Sequence, residues 1–172
     1  QVRALAASLR ETVGRDATIF VDQEGGRVQR MGPPHWPTYP PGDAYGRLYG
    51  ANPSVGLEAV TLGARLIAHD LSSVGIDGDC LPVLDVRRPD AHEVIGDRAY
   101  GTEPGIVAAL GGAAADGLLA GGVLPVVKHI PGHGRAEVDS HLALPVVTAS
   151  ADELAEADFV PFKTLAHLPI AM

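Results

Sequence analysis

At 172 residues, 46% of them hydrophobic, the chain has the length and apolar content for one packed domain, which excludes a disordered segment. A formal charge of -8 excludes a general affinity for nucleic acid or anionic membrane, which needs clustered Lys and Arg against phosphates. No apolar stretch reaches the ~20 residues that span a bilayer, and the N-terminal residues signal neither export nor anchoring. A small or neutral ligand is therefore expected. The single Cys80 excludes an internal disulfide, is compatible with a reducing compartment, and reads as a small core residue.

The first element is a helix over residues 2–13, where Val2, Leu5, Leu9 and Val13 recur three and four apart. Residues 17–21 (ATIFV) are a short β-rich run. Residues 25–50, which include PPHWPTYPPGD, read as an extended loop because Gly and Pro interrupt any regular element. Leu57, Val60, Ala64, Ile67, Leu71 and Val74 predict a second helix, over 55–74, ending at Gly75. Asp77-Gly78-Asp79 lacks the remaining ligands of a calcium loop and reads as a turn. LPVLDV at 81–86 is the second strand, residues 105–120 a helix, and 123–127 the third strand. The Ser-x-x-Glu spacing from Ser150 to Glu153 opens a helix to about residue 166, ahead of a fourth strand-like run.

Strands and helices thus alternate, and the strands are apolar on both faces, which predicts an α/β fold with a parallel sheet. No Gly-x-Gly-x-x-Gly follows a strand, so a dinucleotide site is not indicated. Polar residues instead close successive strands: Asp22, Asp85, Lys128 and His129. A (β/α)8 TIM barrel collects its chemistry on that rim, and four strands would be about half of one. A start on Gln1 and an end in a strand-like run lead us to expect one domain, 1–172, incomplete at both ends.

VDQEGGRVQR at 21–30, LPVLDV at 81–86, IGDRAYG at 95–101 and KHIPGHG with DSH at 128–141 resemble, in that order, the bacterial β-N-acetylglucosaminidases of glycoside hydrolase family 3. The resemblance implies a cytoplasmic hydrolase with a (β/α)8 barrel. Its expected substrates are peptidoglycan fragments, from which it removes terminal non-reducing N-acetylglucosamine during cell-wall recycling. By position it makes Asp139 and His141 an acid/base dyad, and Asp22, Arg98, Lys128 and His129 ligands of the sugar hydroxyls. An imidazole, with a pKa of ~6.5 when unperturbed, is suited to giving and taking a proton near neutrality. Asp139 is close enough in sequence to orient the His141 ring and raise its pKa. Gly132 and Gly134 around His133 suggest a loop that moves over bound sugar.

Other expectations are less specific. Glu24 is structural, Asp85 is structural with an arginine as partner, and Arg98 without the resemblance would be a surface partner of Asp97. His133 shapes its loop, and His35, His69, His92 and His167 are incidental. No cofactor is expected, and the partner is a muropeptide-type carbohydrate. His129, His133, Asp139 and His141 are also zinc-binding residue types, but His-x3-His-x5-Asp-x-His in a glycine-rich loop does not match the helical His-Glu-x-x-His arrangement. Relatives that cleave β-glucosides are a further alternative. The nucleophilic Asp of a double displacement is not found in the chain, so the segment alone is expected to be an inactive sugar binder, and half a barrel would expose apolar faces and unpaired strand edges.

Overall fold

The computed structural model describes residues 1–88, 93–136 and 144–172. Helix α1 (Val2–Val13) matches its predicted range and ends at Gly14, whose left-handed backbone (φ 72°) returns its N–H to the carbonyls of Arg10 and Glu11. Most of the stripe that predicts this helix does not pack: Leu5, Leu9 and Val13 are exposed, Val2 meets the core, and Ala6 is buried. Arginines hold the helix instead. Arg10 reaches Asp77 at 2.6 Å and the Gly75 carbonyl at 3.0 Å, and Arg3 donates to the Ser73 carbonyl.

Strand β1 (Phe20–Val21) leads into an antiparallel hairpin of β2 (Gln23–Gly25) and β3 (Val28–Gln29). Helix α2 (Gly42–Ala51) follows, then α3 (Pro53–Ser73), capped by the Asn52 side chain on Val55 N with Pro53 in the first turn. Strand β4 (Gly78–Asp79), α4 (Pro104–Ala120) and β5 (Leu124–Val127) come next. The chain continues through α5 (Ala151–Glu156) and α6 (Val160–Thr164) to β6 (Ile170–Ala171).

The sheet order is β1-β4-β5-β6, all parallel, with Phe20 opposite Gly78, Gly78 opposite Leu124 and Val126 opposite Ile170. This is the parallel α/β arrangement that alternation predicts. Among the described residues the four strands form an open row, with no closure into a barrel. All four carry their C-terminal ends to one edge, which is where the polar residues gather.

Three local expectations need correction. The stretch read as an extended loop, 25–50, holds the β2–β3 turn and all but the last residue of α2. Its glycines serve contact: a Cβ at Gly46 would lie 1.8 Å from the Tyr100 carbonyl oxygen, so α2 seats directly on that backbone. The second strand is not LPVLDV but the Gly78–Asp79 segment taken for a turn. Pro82 and Pro125 carry no N–H, so 81–86 runs beside β5 with scattered bonds, among them Leu84 N to Lys128 O and Val126 N to Leu81 O, and a single bridge of Val83 to Lys128. Finally, the helix opened by Ser150 has the predicted capping box with Glu153 but breaks after Glu156, and Pro161 in the first turn of α6 starts a second one.

The core lies where α3 and α4 meet the strands. Ile67 and Leu71 of α3, and Leu110 and Leu118 of α4, are buried with Leu84, Val86, Val123 and Val127. Each such side chain contributes about 1.5–3 kcal/mol on leaving water. The two helices approach at Gly117, where a Cβ would sit 2.4 Å from the Thr61 carbonyl oxygen and 2.9 Å from the Ala64 side chain. Helix propensity alone favours alanine there by about 1 kcal/mol. The contact reverses the sign: Gly117→Ala is expected to destabilise the chain by about 1–3 kcal/mol, read as a lower urea midpoint.

Candidate active site

The strands place their polar residues around one cavity of about 580 Å³, bounded by Asp22, Arg30, Arg98, Lys128, His129 and His133 together with other residues. Asp22 follows β1, Asp79 ends β4, and Lys128 and His129 follow β5. Glu24 is on β2, and Arg98 closes a short 3-10 turn, Gly96–Arg98. The four residues expected to line a sugar site thus come together.

Ion pairs and hydrogen bonds join them. Lys128, 1% exposed, sets its Nζ 2.9 Å from Asp22 Oδ1 and 2.5 Å from Glu24 Oε1. Arg98 grips the same Glu24 with both arms, Nε to Oε2 and Nη2 to Oε1, each at 2.8 Å. The Nη2 also lies 3.3 Å from His129 Nε2, and on the far side of that ring Nδ1 is 2.6 Å from Asp85 Oδ2. Arg30, at the rim, brings a guanidinium nitrogen 3.6 Å from Asp22 Oδ2.

Electrostatics follow from burial and partners. Burial works to raise the Asp22 pKa, but the Lys128 hydrogen bond and charge, with help from Arg30, outweigh it and hold the carboxyl below its ordinary value. Burial likewise opposes the charge on Arg98, and Glu24, with Asp85 and Asp22 behind it, overrides that and raises its pKa. Asp79 goes the other way. It is fully buried, and desolvation pushes its pKa well above the ordinary aspartate value against the Gln23 N–H bond and the Lys128 charge, while Glu24 and Asp22 add to the rise. Its Oδ2 has no hydrogen-bond partner among the described residues.

Several expectations change here. Asp85 pairs with a histidine, not an arginine, because the nearby Arg98 is already committed to Glu24. Asp97 takes Arg27 at 2.9 Å, so Arg98 is no surface partner of it. Gly134 is a packing glycine: a Cβ would lie 1.9 Å from the Val86 carbonyl oxygen. In this conformation His133 N is bound to Asp85 Oδ1 at 2.7 Å, and Arg135 to the buried Asp158 at 2.7 Å. Cys80 is only half-buried. Asp139 and His141, the expected dyad, and His92 lie outside the described residues. Among the described residues no cluster of three or more His, Cys, Asp or Glu could hold a metal ion, and no helix is long and apolar enough to cross a membrane. Sequence reasoning missed Arg30, Asp79 and the acceptor role of Asp85; the one available signal was a lone acid inside the apolar LPVLDV.

The profile of the Glycosyl hydrolase family 3 N terminal domain matches residues 2–171. The chain belongs to glycoside hydrolase family 3. Among its relatives are β-hexosaminidases of Xylella fastidiosa (strain M23), 38% identical over 164 residues, and Methylococcus capsulatus, 40% identical over 165. These alignments cover 94% and 96% of this chain but 48% of each relative, so the chain spans about half their length. A crystal structure of NagZ from Neisseria gonorrhoeae in complex with N-trifluoroacetyl-D-glucosamine superposes with a TM-score of 0.92 at 35% identity, over 99% of this chain and 51% of that one.

Two measurements test the electrostatics of this family 3 site. Glu24→Gln leaves a buried lysine and arginine short of an anion and is expected to cost about 3–5 kcal/mol, whereas Asp22→Asn, which removes a partly exposed acid and leaves Lys128 its Glu24 partner, costs about 1 kcal/mol or less; urea denaturation separates them. Asp79 holds its proton in the folded state above the pH at which the unfolded chain releases it. Its contribution is therefore full below the ordinary aspartate range and lost as pH rises through the raised folded value. Stability of Asp79→Asn relative to the native chain is expected to increase from pH 4 toward 7, measured by denaturation midpoints.

Proposed function

We propose that this segment supplies the sugar-binding half of a retaining β-N-acetylglucosaminidase, which removes terminal non-reducing N-acetylglucosamine from peptidoglycan fragments in the cytoplasm. The observation that carries the reading is the linked set of Asp22, Lys128, Arg98 and His129 on the cavity rim, in a chain whose relatives are named β-hexosaminidase. Alternating donors and acceptors at fixed positions suit the vicinal hydroxyls of one terminal sugar. In this reading the open row of four strands is half of a (β/α)8 barrel, and β1 and β6 pair with strands from the rest of the protein.

Asp22, kept ionised by Lys128 and Arg30, accepts from hydroxyls, and Arg98 donates to them. The acid/base work falls to Asp139 and His141, with His141 protonating the departing oxygen and later deprotonating water. The attacking carboxylate comes from outside this segment, so the covalent intermediate needs the whole protein.

The experiment is chromophore release from an aryl β-N-acetylglucosaminide by this 172-residue chain and by a longer chain spanning the full length of the relatives, each with and without chelator. Hydrolysis by the longer chain alone, unaffected by chelator, is expected. In that protein His141→Ala is expected to lower kcat by about 10²–10⁴, the usual reach of general acid–base catalysis. Hydrolysis by the short chain would overturn the assignment of the nucleophile, and loss of activity with chelator would favour a metal-dependent reaction.

A further inference from the structure

One buried carboxylate organises the wall between the cavity and the loop beyond it. Asp85 is fully buried; its Oδ1 accepts from His133 N at 2.7 Å and His129 N at 3.3 Å, and its Oδ2 lies 2.6 Å from His129 Nδ1. Across the imidazole, Nε2 lies 3.3 Å from Arg98 Nη2. A guanidinium has only donors to offer, and a neutral imidazole has one donor and one acceptor. Nε2 must therefore meet Arg98 with its lone pair, which leaves the proton on Nδ1, facing Asp85. Two neighbours on opposite sides of the ring select the same tautomer. A doubly protonated ring would point an N–H at the N–H of Arg98.

We propose that Asp85 is a positioning residue that locks His129 as the Nδ1–H tautomer, so that the ring meets a cavity ligand only as an acceptor. This rests on the sugar-site reading and refines it. A sugar hydroxyl that enters between His129 Nε2 and Arg98 Nη2 takes the place of their direct contact: it donates to the imidazole lone pair, and the displaced guanidinium N–H donates to the hydroxyl oxygen. The same carboxylate, through the His133 N–H, ties that ring to the first residues of the loop that leads to Asp139 and His141. One side chain thus sets both the polarity of the grip and the origin of the catalytic loop.

The test is long-range ¹H–¹⁵N correlation of the chain carrying ¹⁵N-labelled histidine, with His129 assigned by its loss in His129→Gln. The native chain is expected to show a protonated Nδ1 and a bare Nε2. In Asp85→Asn the amide oxygen stays with the two backbone N–H groups and the amide nitrogen donates to Nδ1, so the proton is expected to move to Nε2. Affinity for N-acetylglucosamine is then expected to fall about tenfold, the cost of one hydrogen bond. A bare Nδ1 in the native chain overturns the proposal by itself, whether or not the variant folds. So does a folded Asp85→Asn with an unchanged tautomer, or with a swapped tautomer and unchanged affinity. Failure of the native chain to bind the sugar counts against the glycosidase reading, and the tautomer result still decides this one.

Discussion

The arrangement of the site depends on how one ammonium group is kept in the interior. Lys128 is 1% exposed, and a cation taken that far from water persists only if anions and hydrogen bonds replace its hydration. Glu24 and Asp22 do so, and each is then positioned for a second task. Glu24, shared with Arg98, draws the 3-10 turn onto the sheet edge. Asp22, only partly covered, keeps an oxygen toward the cavity. The lysine is where strand, hairpin and turn converge, and so the geometry of the rim is set by its desolvation more than by any apolar contact.

Much of this was legible from residue order. The long helix α3 announces itself by apolar spacing, α4 by its wealth of Ala and Leu ahead of Gly121-Gly122, β5 by its unbroken run, and α5 by the Ser150–Glu153 box. All carry their signal within the element itself. What escaped depends on contacts across the chain. The α2 segment has too many glycines to read as a helix until the Tyr100 backbone lies against Gly46. The β4 segment, Gly78–Asp79, resembles a turn because neither residue favours strands, yet its place between β1 and β5 fills the sheet.

The candidate site divides in the same way. Asp22, Arg98, Lys128 and His129 were recognisable from short motifs, and the structure brings all four to one cavity. Their wiring was not recognisable, because Asp85, Asp79 and Glu24 are separated from their partners by tens of residues, and nothing local distinguishes a buried acid from a loop cap. The glycines of KHIPGHG show a related ambiguity. Composition suggests freedom, while the Val86 carbonyl against Gly134 shows a backbone held too close for any side chain.

The pairing of charges on the cavity rim has a further meaning for what it admits. Asp22 and Glu24 are paired at short range with Lys128, Arg98 and Arg30, while Asp85 turns to His129. In such a wall most of each charge is spent on its neighbour, and what is left for a ligand is directional hydrogen bonding. Under the sugar-site reading, a wall of charges already paired with one another recognises a ligand by the direction of its hydrogen bonds more than by long-range attraction.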